Sequence, residues 1–372
     1  MRIAVVNSKF ASPKLGGGIT SLLTLLEGIH RDRSIVVDAF QTSPTAEIDS
    51  NFEYNIQSYE LPSVPLFHWS SRELAARRWE ELLSNEIDST YDIVIGQDRL
   101  GLAAVNAAVE LGVPSLLFVR SLISTGYYQY HPSLSHVRNL RRADIGGKLQ
   151  YPFVLQNYRR YRRAIRGADA VIANSDFTAS KLVVLFGASP SVIYPPITVK
   201  KYKTYYNKEG DIMMVNPRTE QKGGDIFLRV AEMMPDEEFR LVGPAPASVQ
   251  KKACSLSNVI YVEWTDDMKT QYGKSKVVVV PTQRDEPFGR VAAEAMTSGI
   301  PCVVSNKGGL PEVVGNTGYI VDEVDCVEEW YSTIRRAADD GYDKNRVERV
   351  DRMFSTPVQV DRIKKITNKL LI

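Results

Sequence analysis

The sequence predicts an α/β protein built as two doubly wound, Rossmann-like parallel-sheet domains, and three observations carry that prediction. Its 372 residues exceed one ordinary core and suit two domains of roughly 100 to 200 residues each. Short continuous apolar runs rich in Val and Ile alternate with longer amphipathic stretches from end to end, as expected of parallel strands covered on both faces by crossover helices. Midway, VIYPPITVKKYK at 192–203 interrupts the alternation with paired prolines, which hold the preceding residue out of helix and suit an interdomain linker. Two domains imply a cleft for them to face across.

In the first half, strands are expected at RIAVVNS (2–8), SIVVDAF (34–40), YDIVIG (91–96), VPSLLFV (113–119) and DAVIANS (169–175). Each is short, apolar and rich in residues branched at Cβ, which pack well on a pleated surface. Helices are expected from about Gly18, near 72–87, near 152–166 and from Phe177 to Phe186, and the pattern pauses across 121–150. In the second half the strands read DIMMVN (211–216), EFRLVG (238–243), VIYVE (259–263), KVVVVP (276–281), PCVVS (301–305) and GYIVD (318–322). Helices fall at 222–234 and 289–298, with further helical segments to the C-terminus. The expected domains are therefore 1–195 and 196–352, with a C-terminal helix, 353–372, packing back on the first.

Composition narrows the class. With 44% hydrophobic and 24% charged residues the chain is globular, and a net charge of +2 lacks the concentrated basic excess of a nucleic-acid binder. Cys254, Cys302 and Cys326 are odd in number, widely spaced and outside any Cys-x-x-Cys arrangement, so neither a disulfide framework nor a zinc site is expected. The apolar opening run is too short for a signal-peptide core and no stretch approaches the roughly 20 apolar residues of a membrane span. A cytoplasmic protein is the expectation.

In open parallel sheets ligands bind beyond the carboxyl ends of strands, where backbone N–H groups at helix starts are free. Four such loops carry unusual residues. SPKLGGGIT follows the first strand, and Gly16, Gly17 and Gly18 allow close backbone approach to an anion, or simply a flexible turn. NPRTEQKGGD follows the first strand of the second half. It places Arg218 and Lys222 beside a helix N-terminus, where cations are disfavoured by roughly 0.3 to 1 kcal/mol unless an anion such as a diphosphate relieves them; both pointing into solvent is the other reading. RDEPFGRVAAEAM puts Glu286 in extended backbone before Pro287 and Glu294 inside a helix among small apolar residues. Two readings of Glu294 stand side by side: a surface pair with Arg290, worth about 0.3 to 0.5 kcal/mol, or an enclosed carboxylate that requires a polar ligand such as the paired hydroxyls of a ribose. SNKGGLPEVVG offers Gly308 and Gly309 as backbone donors at the same sheet edge, or a plain loop.

Taken together, PTQRDEPFGRVAAEAMTSGIPCVVSNKGGLPEVV, with two glutamates separated by seven residues, resembles the donor-site signature of retaining GT-B-fold glycosyltransferases of family four (glycosyltransferase group 1). The likeness continues through NPRTEQKGGDIFLRVAEMMPDEEFRLVG and RGADAVIANSDFTASKL, covering most of 163–322, and thins in the first domain to its opening strand and glycine loop. The resemblance implies that Arg218 and Lys222 neutralise the donor diphosphate, that Glu286 contacts donor-sugar hydroxyls and that Glu294 binds the ribose. It implies that Gly17 and Gly18 lie beneath the phosphates, and that backbone groups around Phe288, Gly289 and Arg290 line the donor pocket. It implies sugar transfer with retention, from a nucleotide sugar to a saccharide, lipid-linked or protein-linked acceptor recognised by the first domain. The sequence holds no Asp-x-Asp pair to seat a metal against the donor, so no metal and no cofactor beyond the donor is expected. Alternatives are a non-catalytic nucleotide-sugar binding subunit, a sugar-nucleotide epimerase or a phosphorylase.

Two features depart from that picture. Where the family carries a His after a first-domain strand, VPSLLFVRSL places Arg120, which donates hydrogen bonds but cannot act as a base at neutral pH. Either Arg120 caps the strand, or it binds the donor sugar or an anionic group on sugar or acceptor. His30, His68, His131 and His136 have no recognisable partner and receive no role. Residues 138–166 contain Arg138, Arg141, Arg142, Lys148, Arg159, Arg160, Arg162, Arg163 and Arg166 against one acid, Asp144. A solvated face is one reading and a peripheral site for an anionic membrane or lipid-diphosphate acceptor the other.

Overall fold

The computed structural model describes residues 1–10, 17–42, 48, 50–61, 68–122, 125 and 145–372. The chain divides into two compact units, Met1–Ile193 with Val360–Ile372, and Tyr194–Gln359. Unit 1 holds β1 (Arg2–Val6), β2 (Val36–Gln41), β3 (Glu53–Ser58), β4 (Ile93–Gln97), β5 (Ser115–Val119), β6 (Ala170–Ala173) and β7 (Ser191–Val192). Among the described residues these form one parallel sheet in the order β3-β2-β1-β4-β5-β6-β7. Strand order reverses between β1 and β4, where Ile3 lies opposite Ile93, and that is the unit's topological switch point.

Helix α1 (Gly17–His30) covers one face of this sheet, packing Leu22, Leu26 and Ile29 with Val5, Val37 and Ile95. On the other face, α2 (His68–Glu86) and α3 (Asp98–Leu111) bury Trp79, Leu83 and Ala104 against Ala4, Val6 and Val94. Beside them α4 (Ile145–Gly167) and α5 (Asp176–Phe186) bury Tyr161, Ile165 and Phe186 against Leu117, Val119 and Ala173. The continuous apolar strands are thus fully enclosed. Helix α4 starts seven residues before the expected 152 and runs through Pro152; Gly146, Gly147 and that proline hide its first turns from a propensity reading. Strand β3, EYNIQS, is absent from the expected strands because its polar residues suit an edge position, where only pairing to β2 makes it a strand.

Unit 2 contains β8 (Asp211–Val215), β9 (Phe239–Val242), β10 (Val259–Val262), β11 (Ser275–Val280), β12 (Cys302–Ser305) and β13 (Tyr319–Val321), parallel in the order β10-β9-β8-β11-β12-β13. Its switch point lies between β8 and β11. Its helices are α6 (Val199–Tyr202), α7 (Gly224–Met233), α8 (Ala247–Ser255), α9 (Met268–Gly273), α10 (Arg290–Met296), α11 (Leu310–Val314), α12 (Val327–Asp340) and α13 (Lys344–Met353). The core joins Phe227, Phe239, Val277, Val303 and Trp330. Helix α14 (Thr356–Leu370) begins in unit 2, where Thr356 N donates to Ile197 O at 3.1 Å, and ends in unit 1, where Val360 and Ile363 join the α1 core. The return to the first unit therefore begins at Val360, later than residue 353, because the first turn is held by the strand-like bridge of Ile197 to Ser355.

Candidate functional site

The carboxyl edge of the unit 2 sheet gathers the predicted residues Arg218, Lys222 and Glu286 around the β8/β11 switch point. Strand β8 ends at Val215, and Asn216 follows with a φ of 59°, a left-handed backbone that is costly for a residue preceding proline. The chain then passes Arg218, which is exposed, and makes a single 3-10 turn, Glu220–Lys222, before Gly223 opens α7. That turn is tied to the loop after β11: Gln283 N donates to Gln221 O at 2.8 Å, and Thr282 Oγ1 donates to the same carbonyl at 3.1 Å. Strapped together, the two loops bring Lys222 Nζ into an ion pair with Glu286. Both side chains keep partial solvent access, 37% and 23%. A carboxylate of the chain itself, Glu286, thus answers the charge of Lys222, a partner that neither reading of the sequence named.

The β12 loop braces the same edge. Glu286 bridges to Gly308, and Gly309 N donates to Glu286 O at 2.7 Å. Gly308 has a φ of +64°, and a Cβ there would stand 2.2 Å from Glu286 O. These glycines permit two backbones to touch. The Gly309 N–H is spent on positioning Glu286.

Glu294 resolves differently from both sequence readings. It is 8% exposed on α10. Oε1 accepts from Arg290 Nε at 3.0 Å, and Oε2 accepts from Tyr272 OH at 3.0 Å. The Arg290 pair exists but is buried, so it is no surface pair. Nor does enclosure by itself demand a ligand, because protein donors meet both oxygens. Burial and then the charge of Glu294 push the Tyr272 hydroxyl far above its ordinary range, which keeps it a neutral donor. Arg290 also reaches Pro196 O at 3.2 Å and Tyr202 OH at 3.4 Å. Burial opposes its charge, but Glu294 and Tyr202 outweigh that and raise its pKa. The Tyr202 hydroxyl also stands within hydrogen-bonding reach of the Glu294 carboxylate. Phe288 turns its ring inward against Tyr194 and Phe354, at centroid distances of 5.8 and 5.3 Å, leaving its backbone at the loop; Gly289, at φ 107°, caps α10.

Unit 1 has its own edge at β1/β4. Gly17 begins α1 and is exposed, and Gly18 is half-buried; Gly16 lies outside the described residues. A Cβ on Gly18 would meet Arg120 Cδ and Gln97 Nε2, each at 3.4 Å, so the glycine helix start, the β4 end and the β5 end converge there. Arg120 is 8% exposed, donates from Nε to Gln97 Oε1 at 2.9 Å and lies over the Phe118 ring. Its backbone N–H donates to Asp98 Oδ1 at 3.0 Å, and its carbonyl accepts from Asn174 Nδ2 at 3.1 Å. Asp98 has a φ of 50°, and burial raises its carboxyl pKa against the lowering by Arg120 and Ser121.

Sequence reasoning missed Gln97, Asp98, Tyr202, Tyr272 and Asn216. Tyr272 sits 22 residues before its partner Glu294, and no local motif announces it. Asn216 was legible in principle from the Asn-Pro step at a strand end. Asn216 Oδ1 and, at the end of β12, Ser305 Oγ are buried with no hydrogen-bond partner among the described residues. Of the basic run, Arg138, Arg141 and Arg142 lie outside the described residues; the rest lie on α4.

Comparison with known proteins places this geometry. Residues 15–201 match the family described as Glycosyltransferase Family 4, and 211–340 match Glycosyl transferases group 1. A D-inositol 3-phosphate glycosyltransferase of Corynebacterium diphtheriae is 30% identical over 215 residues, 48% of this chain and 50% of that protein. One from Mycobacterium sp. (strain KMS) is 29% identical over 201 residues, 46% and 45%. The chain spans about half the length of the curated relatives it matches. Among solved structures, sucrose-phosphate synthase from Thermosynechococcus elongatus superimposes with a TM-score of 0.75 at 18% identity, covering 99% of this chain and 98% of that one. Anabaena Alr3699/HepE in complex with UDP and glucose gives 0.68 at 19%, covering 99% of each. The fold is the GT-B α/β fold, and with both halves matched the chain belongs to family 4 of the glycosyltransferases, group 1.

Proposed function

We propose that this protein is a retaining glycosyltransferase that moves a sugar from a nucleoside-diphosphate donor to a saccharide, lipid-linked or protein-linked acceptor without a metal, and that it works in the cytoplasm. The observation that carries the reading is the half-exposed Lys222–Glu286 pair held at the β8/β11 switch point by three strapped loops. Support comes from relatives named as glycosyltransferases and from a fold neighbour whose structure holds UDP and glucose.

The bond between the anomeric carbon and the diphosphate oxygen breaks, leaving negative charge on the phosphate. Lys222 and Arg218 are positioned to stabilise that charge, the task a metal performs elsewhere, and this is the basis for metal independence. When the diphosphate takes up Lys222, Glu286 is released to accept hydrogen bonds from sugar hydroxyls. The acceptor oxygen bonds to the anomeric carbon on the face the diphosphate leaves, and its proton passes to the departing phosphate oxygen, which accounts for retention. Glu294, oriented by Arg290 and Tyr272, receives the ribose hydroxyls.

A thermal-shift panel of uridine, guanosine, adenosine and thymidine diphosphate sugars identifies the donor, followed by donor hydrolysis with and without EDTA. One donor should raise the melting temperature and be hydrolysed slowly in both conditions. No shift with any donor defeats the reading; hydrolysis abolished by EDTA defeats metal independence. A non-catalytic nucleotide-sugar binding subunit is the second reading, favoured by Arg120 standing buried against Gln97 where the family carries a His. For Arg120→Ala, donor hydrolysis and transfer are measured separately. Loss of transfer with hydrolysis retained assigns Arg120 to the acceptor side; unchanged values for both end any active-site role.

A further inference from the structure

Helix α4 carries Lys148, Arg159, Arg160, Arg162, Arg163 and Arg166 and no acidic residue across its 23 positions. The structure separates these cations by task. Arg160 turns inward to pair with Glu73 and, at 3.0 Å, with Glu80, bracing α4 against α2. Arg163 pairs with Glu110 at 3.0 Å, both side chains exposed. Lys148, Arg159, Arg162 and Arg166 make no ion pair among the described residues, and all four are exposed.

At 3.6 residues per turn, positions 145, 149, 152, 156, 159, 163 and 166 share one stripe, with 148 and 162 on its flank. The first turns of that stripe present Ile145 at 78% exposure and Leu149 at 68%, and its last turns are basic. Opposite, Tyr151, Val154, Tyr161, Ala164 and Ile165 are buried. The helix thus has a packed inner face and an outer face combining bare aliphatic side chains with uncompensated cations. An interfacial helix combines such apolar groups with a basic face. Among the described residues no helix is long and apolar enough to cross a membrane.

We infer that the outer face of α4 is a docking surface for an anionic lipid bilayer, the arginines meeting headgroup charge while Ile145 and Leu149 enter the headgroup boundary. Charge complementarity selects this occupant: an acid-free stripe with exposed aliphatic ends suits a surface that is negative outside and apolar beneath. The inference is independent of the transferase reading.

The test is flotation of the whole protein with phosphatidylcholine vesicles, with and without one-fifth phosphatidylglycerol, at low and high salt. The protein should float with the anionic vesicles at low salt and remain below with the neutral ones. Reversal of three charges, R159E/R162E/R166E, should lower recovery at least about 10-fold. A variant matched in charge but placed on exposed positions of unit 2, K208E/K251E/K269E, should float like the parent. I145S/L149S should lower the recovery that survives high salt. Equal recovery on neutral and anionic vesicles overturns the proposal. So does equal loss in the matched variant, which would show a response to net charge alone, or unchanged binding in R159E/R162E/R166E.

Discussion

The two sheets of this protein end alike and are furnished differently. At the β8/β11 edge of unit 2 the loops are strapped by backbone bonds, Gly309 to Glu286 and Gln283 to Gln221, so the charged side chains of Lys222 and Glu286 stay half-open. At the β1/β4 edge of unit 1 side chains do the bracing: Arg120 is buried on Gln97, and the Asp98 carboxylate takes the backbone N–H of Arg120. Backbone bracing leaves functional groups available for a ligand. Side-chain bracing commits them to the fold, and a ligand there competes with existing bonds.

The contrast can be broken most directly at the open pair. Lys222→Ala is expected to reduce donor turnover roughly 100-fold, the scale for removing one group that stabilises developing charge. Its melting temperature should barely move, since a partly exposed ion pair is worth about 0 to 1 kcal/mol. Single-turnover donor hydrolysis beside a melting curve checks both; retained turnover would take the donor site away from β8/β11.

The enclosed pair should invert that pattern. Glu294→Ala strands the buried Arg290 cation and should cost about 3 to 5 kcal/mol of stability. The double change E294L/R290M removes both charges and should recover much of that loss in urea denaturation. A double variant no more stable than the single would show that the pair itself, rather than the stranded charge, supports the fold.

The smallest effect belongs to the β1/β4 edge. Burial raises the folded-state pKa of Asp98 above its unfolded value near 3.9, so the folded state binds the extra proton and stability falls as pH rises through that window. Asp98→Asn keeps an acceptor for the Arg120 N–H and removes the charge. Its stability relative to the parent should therefore be more favourable at neutral pH than at pH 3. A constant difference across that range would mean that Asp98 ionises without penalty.

The opened and closed edges were unequally legible. Glu286, Lys222 and the Gly308–Gly309 pair lie in short loops whose residue types announce them. Their mutual contact did not show, because Lys222 and Glu286 are 64 positions apart. Gln97 and Asp98 follow an ordinary apolar strand, and only the left-handed backbone of Asp98 marks them, a feature invisible in residue type. Tyr272 looks like any helical aromatic until α9 and α10 are packed together.

By itself the sequence determined the alternation of buried strands and covering helices, the two parallel sheets, and which strand ends carry cations, carboxylates and glycines. These follow from period and from the local preferences of residues close together in the chain. Tertiary structure alone decided which charges meet. It joined Lys222 to Glu286, gave Glu294 to Arg290 and Tyr272, turned Arg160 inward while leaving Arg159, Arg162 and Arg166 facing out, and began the return to unit 1 at Val360. Charge is written in the residue, but its partner and its solvation depend on segments brought together only when the chain folds.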